Sequence, residues 1–210
     1  MRLLLIRHGE TSANAEGRLQ GHLDISMSER GRRQSEQLAE RLSRLSFDAI
    51  YSSPLKRARE TADIIADRNG LTPVDRPALM ERDVGDLAGL TRAEIIERHP
   101  HYVRARMEAR DDVGVAGFER DAAFARRVLD GVGTIIEAHP SESIVVVSHG
   151  GVIAAFLRET LNMPITRPGA FAVSNASITT FDVREEQREP RVRPRVLLVS
   201  LNDTCHLDGI

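Results

Sequence analysis

The chain has 210 residues, of which 41% are hydrophobic and 29% are charged, and its 29 Lys and Arg residues nearly balance its 31 Asp and Glu residues. This composition is typical of a globular protein and argues against a disordered, collagen-like or membrane-spanning chain. The net charge of -2 gives no sign of the basic surface by which proteins bind nucleic acid, so we expect neither a nucleic-acid nor a membrane partner.

The cysteine count and the lengths of the apolar runs predict where in the cell the protein is located. A single cysteine, Cys205, excludes an intramolecular disulfide and a metal site built from cysteines. The apolar run at residues 3–6 is shorter than the apolar region of a signal peptide. No later run approaches the roughly 18 apolar residues of a membrane-spanning helix. We therefore expect a cytoplasmic protein.

In the first third of the chain, the pattern predicts strands alternating with helices. Residues 3–6 are all apolar, as in a strand buried on both faces of a parallel sheet. Ser28 is expected to cap a helix whose apolar stripe extends to Leu45. Residues 49–51 predict a second short strand. A helix is then expected over 53–70, with Pro54 in its first turn and a glycine at its end.

The middle of the chain is expected to be helical and strongly charged. Residues 91–138 have a helical pattern that is broken at 99–100 and around 114–117. Residues 143–148 form the clearest strand of the sequence, and two glycines lead from it into an apolar helix over 152–161.

The last strands are expected at 177–183 and 192–201, with an exposed polar turn at 184–191 between them. Strands that alternate with helices predict an α/β domain with a mainly parallel sheet. In the absence of a repeat or a linker, we expect residues 1–210 to form one domain, in which 82–142 make a helical excursion over one edge.

Candidate catalytic and ligand-binding residues follow three of the predicted strands. In parallel sheets, ligands usually bind at the carboxyl ends of the strands. The three groups are Arg7-His8-Gly9-Glu10-Thr11, Ser52-Ser53-Pro54-Leu55-Lys56-Arg57 and Ser148-His149-Gly150-Gly151. Two guanidinium groups can bind a phosphoryl group, and they keep a nearby imidazole neutral and nucleophilic. A second histidine and the amino terminus of a helix can stabilise the equatorial oxygens. Such a site needs no metal, because fixed cations supply the charge.

Ile6-Arg7-His8-Gly9-Glu10-Thr11, followed by Asn14, resembles the signature of branch 1 of the histidine phosphatase superfamily, the phosphoglycerate mutase-like group. Other blocks resemble that family in the same order along essentially the whole chain: Ser52 to Ala62, Leu79 to Gly85, Val147 to Gly151, and Leu201 to Leu207. The resemblance implies a three-layer sandwich, in which helices flank a mainly parallel central sheet.

The resemblance also implies a role for each candidate residue. His8 would be phosphorylated, and Glu81 would protonate the leaving alkoxide and then activate water. The phosphate pocket would be completed by Arg7, Arg57 and His149. Further contacts to the phosphate would come from Asn14, Gln20, Gly21 and the Gly150 amide. No metal or other cofactor is implied, and the substrate would be a small-molecule phosphomonoester.

Alternatives exist for two of these roles. Arg59 could replace Arg57 as the inward guanidinium, although we expect Arg59 to form a structural or surface pair. Asp83 or Asp86 could replace Glu81 as the acid. The remaining histidines are expected to be surface or structural residues, and they are His22, His99, His101, His139 and His206.

Three functions fit the motifs: a phosphomonoesterase, a phosphoglycerate mutase and a non-catalytic phosphate-binding protein. All presumed catalytic positions hold the expected residue type, which disfavours the third. His149 follows Glu81 by only 68 positions. Mutases of the family resemble longer chains with a larger water-excluding insertion here, so we favour the phosphatase. The run 86–89 departs from the family's usual residues, which leaves the substrate open, and a homodimer is the default expectation.

Overall fold

A computed structural model describes residues 1–164, 170–188 and 191–209, and gives the backbone alone for 185–188 and 191–194. Six strands form one sheet in the order β3-β2-β4-β1-β5-β6. The strands are β1 (Arg2–Arg7), β2 (Ala49–Ser52), β3 (Val74–Asp75), β4 (Ser143–Ser148), β5 (Ile178–Arg188) and β6 (Arg191–Asp203).

The sheet is mostly parallel. Strand β4 runs parallel to both β1 and β2, and β2 runs parallel to β3. Strand β5 pairs antiparallel with β1, and β6 pairs antiparallel with β5. The carboxyl ends of β1 and β4 are in register, with Arg7 opposite Ser148. The residues that follow these strands therefore meet at one edge, as predicted.

Helices cover both faces of the sheet and make three layers. They are α1 (Ser12–Ala15), α2 (Glu29–Leu42), α3 (Lys56–Asn69), α4 (Arg92–Arg98), α5 (Pro100–Met107), α6 (Asp121–Ala138) and α7 (Gly150–Thr160). Leu4 and Ile6 pack with α2 and α3, whereas Leu3 and Leu5 pack with α6 and α7. Successive side chains of β1 thus enter opposite cores, which explains the all-apolar run at 3–6. The predicted fold class is confirmed.

Two predicted helix boundaries are wrong by a few residues. Ser28 caps α2 as expected, since its side chain accepts from the Gly31 amide, but α2 ends at Leu42 and Leu45 lies in the turn beyond it. Helix α3 begins two residues after Pro54, because Ser53 and Pro54 form a turn in which the Ser53 hydroxyl accepts from the Leu55 amide. Gly70 ends α3 in a left-handed conformation, as predicted.

The segment 82–142 divides into two parts. Its second part contains α6, whose residues Phe124 and Val128 are buried in the core beneath the sheet. The first part, 82–120, carries α4 and α5 and packs around a small separate cluster that includes Leu87 and Ile95. The part of the predicted excursion that has its own cluster is therefore 82–120.

The predicted turn at 184–191 is wrong. Strand β5 continues to Arg188, and its pairing with β6 continues through Arg184 opposite Arg195. Pairing of β5 with β1 ends at Asp182, so the two final strands extend beyond the sheet as a ribbon. The polar sequence of 184–191 resembles a loop, which is why it predicted a turn. Residues 189 and 190 lie outside the described residues.

Within the described ranges, no helix combines the length and the apolar character that crossing a membrane requires.

Candidate active site

The carboxyl edge of the sheet brings the predicted residues together. His8 follows β1, His149 follows β4, and Arg57 projects from the first turn of α3 after β2. His8 is 3% exposed, and Arg57 and His149 are fully buried. The two imidazole rings lie 5.1 Å apart, measured between centroids. Cationic and polar groups that are buried in this way need hydrogen-bond partners or opposite charges inside the protein.

His8 is oriented by its own loop. Its Nδ1 lies 2.7 Å from the Gly9 carbonyl oxygen, which can only accept, so Nδ1 carries the proton and Nε2 keeps its lone pair. Burial holds the pKa of His8 well below its usual value, and the charges of Arg7 and Arg57 lower it further. His8 therefore presents a neutral imidazole with a free Nε2, which is the state that a nucleophile needs.

Two guanidinium groups flank this imidazole. Arg57 donates from Nη1 to the Leu23 carbonyl at 2.7 Å and from Nη2 to the Gly21 carbonyl at 2.8 Å. Arg7 donates from Nη1 to the Val173 carbonyl at 2.6 Å. Burial lowers the pKa of Arg57 to about 10, so the group stays charged at neutral pH. The carbonyl contacts fix both side chains without neutralising their charge.

His149 is held by a serine that the sequence analysis did not assign. Its Nε2 lies 2.8 Å from the Ser53 hydroxyl, which also accepts from the Leu55 amide. The hydroxyl can therefore donate its hydrogen bond to Nε2, and the proton of the neutral ring is then on Nδ1. Burial lowers the pKa of His149 well below its usual value, with smaller contributions from His8 and the two arginines.

Three buried donors of this site lack an acceptor. Within the described part of the chain, Arg7 Nε, Arg57 Nε and His149 Nδ1 have no hydrogen-bond partner. Buried polar atoms in proteins are almost always paired, and an unpaired one costs stability. An anion with several oxygens beside His8 would supply acceptors for such donors.

Glu81 lies beside this group at the amino terminus of α7. Its Oε2 accepts from the Gly151 amide at 3.0 Å, and its Oε1 accepts from the Arg82 amide at 2.8 Å. A Cβ atom on Gly151 would lie 2.1 Å from Oε1, so a larger residue here would displace the Glu81 carboxylate. At the adjacent Gly150, an added Cβ would lie 3.6 Å from Arg7 Nε, which brings the start of α7 to the same site.

The remaining predicted residues lie nearby. Asn14 Oδ1 accepts from the Thr11 amide and from Asn175 Nδ2, so any contact of Asn14 to an anion would use its Nδ2. Gln20 is 8% exposed, and its buried Oε1 has no partner among the described residues. Gly21 adopts a φ of +49° and contributes its carbonyl to Arg57.

Two of the alternative residues, Arg59 and Asp83, are engaged elsewhere. Arg59 pairs with Asp63 and Asp75 at 2.9 and 3.0 Å, as expected of a surface residue. Asp83 caps its own turn by accepting from the Gly85 amide. His22, expected to be surface or structural, contacts the site segment, because its Nε2 lies 2.7 Å from the Glu81 carbonyl oxygen.

Sequence reasoning missed the contribution of residues 173–176. Asn175 Nδ2 donates to the His8 carbonyl at 3.0 Å, and the Ala176 amide donates to the Arg7 carbonyl at 2.9 Å. This loop is fixed in turn by the motif near the end of the chain, because Asn202 Oδ1 accepts from the Ser174 amide. The resemblance of residues 201–207 to the family was the available signal.

Among the described residues, no three His, Cys, Asp or Glu side chains are close enough together to bind a metal ion. The positive charge beside His8 comes from Arg7 and Arg57.

A family model of the histidine phosphatase superfamily (branch 1) matches residues 3–193. The chain belongs to this superfamily. The mixed six-stranded sheet and the flanking helices agree with the histidine phosphatase fold.

Relatives within the superfamily carry both phosphatase and mutase-like names. The chain is 34% identical to phosphoserine phosphatase 1 of Hydrogenobacter thermophilus, over 99% of this chain and 94% of that protein. It is 40% identical to phosphoglycerate mutase-like protein 4 of Arabidopsis thaliana, over 85% and 78% of the two chains. The structure of a mycobacterial glucosyl-3-phosphoglycerate phosphatase in complex with VO3 superimposes with a TM-score of 0.80 at 33% identity, covering 96% of this chain and 98% of the other.

Proposed function

We propose that the chain is a metal-independent phosphomonoesterase that transfers the phosphoryl group of a small phosphate ester to His8 and then to water. The observation that carries this proposal is the set of three buried, unpaired donors around His8. The oxygens of a phosphoryl group would accept from Arg7 Nε, Arg57 Nε and His149 Nδ1 together. The fixed guanidinium groups would stabilise the charge that spreads over these oxygens in the transition state.

In the first step, His8 Nε2 forms a bond to phosphorus while the bond from phosphorus to the ester oxygen breaks. Protonated Glu81 gives its proton to the departing alkoxide and becomes a carboxylate. The amino terminus of α7 lies against the same phosphoryl group and favours its negative charge.

In the second step, the Glu81 carboxylate removes a proton from a water molecule. The water oxygen attacks phosphorus, the bond between phosphorus and Nε2 breaks, and inorganic phosphate leaves. Glu81 is then protonated and His8 is neutral, so both groups are ready for the next cycle. Glu81 performs both proton transfers, and neither step is an oxidation or a reduction.

We favour hydrolysis over return of the phosphoryl group to the organic product. The 67 residues between Glu81 and His149 include α6, which belongs to the core, so little chain remains to cover the site. We propose that 82–120 is a short lid that lets water reach the phosphoenzyme. A mutase reaction is the alternative, supported by the mutase-like name of one relative.

The substrate class follows from the relatives. Two of them are named for their substrates, phosphoserine and glucosyl-3-phosphoglycerate, and both compounds are phosphate esters of small alcohols. We propose a substrate of this kind, handled by a homodimer in the cytoplasm. A panel of both compounds with 3-phosphoglycerate, light scattering, and cell fractionation test these three points separately.

Rapid quenching with a 32P-labelled phosphate ester tests the mechanism. The wild-type protein should carry a label that is labile to acid and stable to alkali, as expected of phosphohistidine, and His8→Ala should carry none. A label on a serine or an aspartate would refute the mechanism. Transfer of the label to an organic acceptor faster than to water would favour the mutase.

A further inference from the structure

The segment that carries Glu81 has no strand or long helix to fix it. A short 3-10 helix, Pro77–Leu79, ends there, and the chain then continues in extended conformation. Side chains from other elements bind the carbonyl groups of all four residues in 78–81. Ser148 Oγ donates to the Leu79 carbonyl at 2.7 Å, and the other three carbonyls accept from one residue of α6, Arg127.

Arg127 uses every N–H group that it has. Its Nη1 donates to the carbonyls of Ala78 at 3.0 Å and Met80 at 2.9 Å, and its Nη2 donates to that of Glu81 at 3.3 Å. The two remaining N–H groups bind the Glu119 carboxylate at 2.8 and 2.7 Å. A guanidinium has five donors in a rigid plane, and here all five have acceptors.

Glu119 extends the same scaffold to the other side of Glu81. The Asp83 amide donates to Glu119 Oε2 at 3.3 Å, and the Glu119 amide donates to the Asp83 carbonyl at 2.9 Å. Arg127 also lies over the ring of Phe124, 5.1 Å from its centre. Because Glu119 and the ring hold the guanidinium in place, it can hold a segment that has little structure of its own.

We propose that Arg127 is a positioning residue for Glu81, an inference that rests on the proposed role of Glu81 in proton transfer. His22 Nε2 also lies 2.7 Å from the Glu81 carbonyl oxygen, so Arg127 shares this carbonyl with His22. A general acid must lie within hydrogen-bonding distance of the leaving oxygen, and a misplacement of about 1 Å costs roughly 100-fold in rate. Arg127 contacts the backbone of Glu81 and none of His8, Arg57 and His149. Its loss should therefore impair proton transfer and leave phosphoryl binding intact.

The leaving group separates these two effects. An alkoxide needs a proton to depart, whereas p-nitrophenolate does not. Single-turnover phosphorylation of the protein by phosphoserine and by p-nitrophenyl phosphate should be measured for Arg127→Met, for Glu81→Gln, and for Arg126→Met. Arg126 is the exposed neighbour on the same helix, so its variant matches the change in charge and size.

We expect Arg127→Met to slow phosphorylation by phosphoserine roughly 10- to 100-fold, within the range of general-acid catalysis, and phosphorylation by p-nitrophenyl phosphate less than about 3-fold. Arg126→Met should match wild type with both substrates. In a Glu81→Gln background, Arg127→Met should add less than about 3-fold, since a positioning residue has no effect once the positioned group is gone.

The variants also separate the two proposals. Equal losses for both substrates in Glu81→Gln would refute the acid role and the positioning role with it. If Glu81→Gln distinguishes the substrates and Arg127→Met does not, or if the double variant is additive, the inference about Arg127 alone is wrong. Should Arg127→Met fail to fold, Arg127→Lys serves instead, because it keeps the charge beside Glu119 with only three donors, and the same ratio of losses decides.

Discussion

Replacement of Gly151 by alanine displaces the Glu81 carboxylate without changing any charge. The added Cβ would lie 2.1 Å from Glu81 Oε1, whereas atoms in ordinary contact are more than 3 Å apart. Gly151 lies in the first turn of α7 and has no positive φ, so alanine fits its backbone. The carboxylate must therefore move by about 1 Å, and its bond with the Gly151 amide is lost or distorted.

The size of the effect follows from that one bond. A hydrogen bond to a charged group contributes about 1.5–3 kcal/mol, so its loss should reduce the rate of phosphorylation by an alkyl phosphate roughly 10- to 150-fold. The same change has two opposing effects on the free energy of unfolding. The lost hydrogen bond lowers it by about 1.5–3 kcal/mol, whereas alanine in place of glycine within a helix raises it by about 0.5–1 kcal/mol, because alanine removes conformational freedom from the unfolded chain. We expect a net fall of about 0.5–2.5 kcal/mol.

Stopped-flow or rapid-quench measurements with phosphoserine, together with urea unfolding, test both expectations on one sample. Gly133→Ala is the matched control, because Gly133 lies within α6 and an added Cβ there meets nothing within 4 Å. It should gain stability and keep full activity. Full activity in Gly151→Ala would show that the reaction tolerates a displaced Glu81, and the reasoning would be refuted. A fall in the free energy of unfolding of more than about 3 kcal/mol would point to a helix distortion instead.

Three further outcomes follow from the site. Arg57→Lys should lose about 2–4 kcal/mol of transition-state stabilisation in kcat/KM, since lysine lacks the planar fork, and near wild-type kinetics would show that Arg57 does not bind the phosphoryl group. EDTA should leave activity unchanged and vanadate should inhibit as a mimic of the transition state; loss of activity in EDTA that Mg²⁺ restores would contradict this. The pKa values of buried His8 and His149 are lowered in the folded protein, so below pH ~6.5 the unfolded chain binds more protons than the folded one. As the pH is lowered through this range, the free energy of unfolding should fall by up to about 1.4 kcal/mol per pH unit for each histidine. Urea titrations between about pH 7 and pH 5 measure this slope, which should be shallower in His149→Asn.

The sequence was sufficient for the features that depend on local pattern. The all-apolar run at 3–6 predicted a strand buried on both faces, and Leu3 and Leu4 indeed enter different cores. His8, Arg57 and His149 could be placed at one site because parallel strands end at one edge. Capping signals at Ser28 and Gly70 were also read correctly, since they act within a few residues.

The parts that could not be predicted depend on distant contacts. Arg127 lies in a charged helical stretch where a solvated face is the usual interpretation, and its bonds reach carbonyl groups 46 to 49 residues away. Backbone carbonyls carry no sequence signal, so the partners of Arg57 at Gly21 and Leu23 were equally invisible. The ribbon beyond β1 has a polar sequence that resembles a loop, and only its pairing with the neighbouring strand marks it as a strand.

The order in which the site's parts are synthesised has a consequence for the newly made protein. Strand β1, which leads to His8, pairs with residues 143–148 on one side and with 178–182 on the other. All nine proposed site residues lie before position 151, yet the loop that holds Arg7 and His8 begins only at Val173. A chain synthesised only as far as position 170 would therefore contain all of these residues in an unassembled form. We expect phosphatase activity to appear only after residues 173–182 have been made, so that chains truncated before them do not act on phosphate esters.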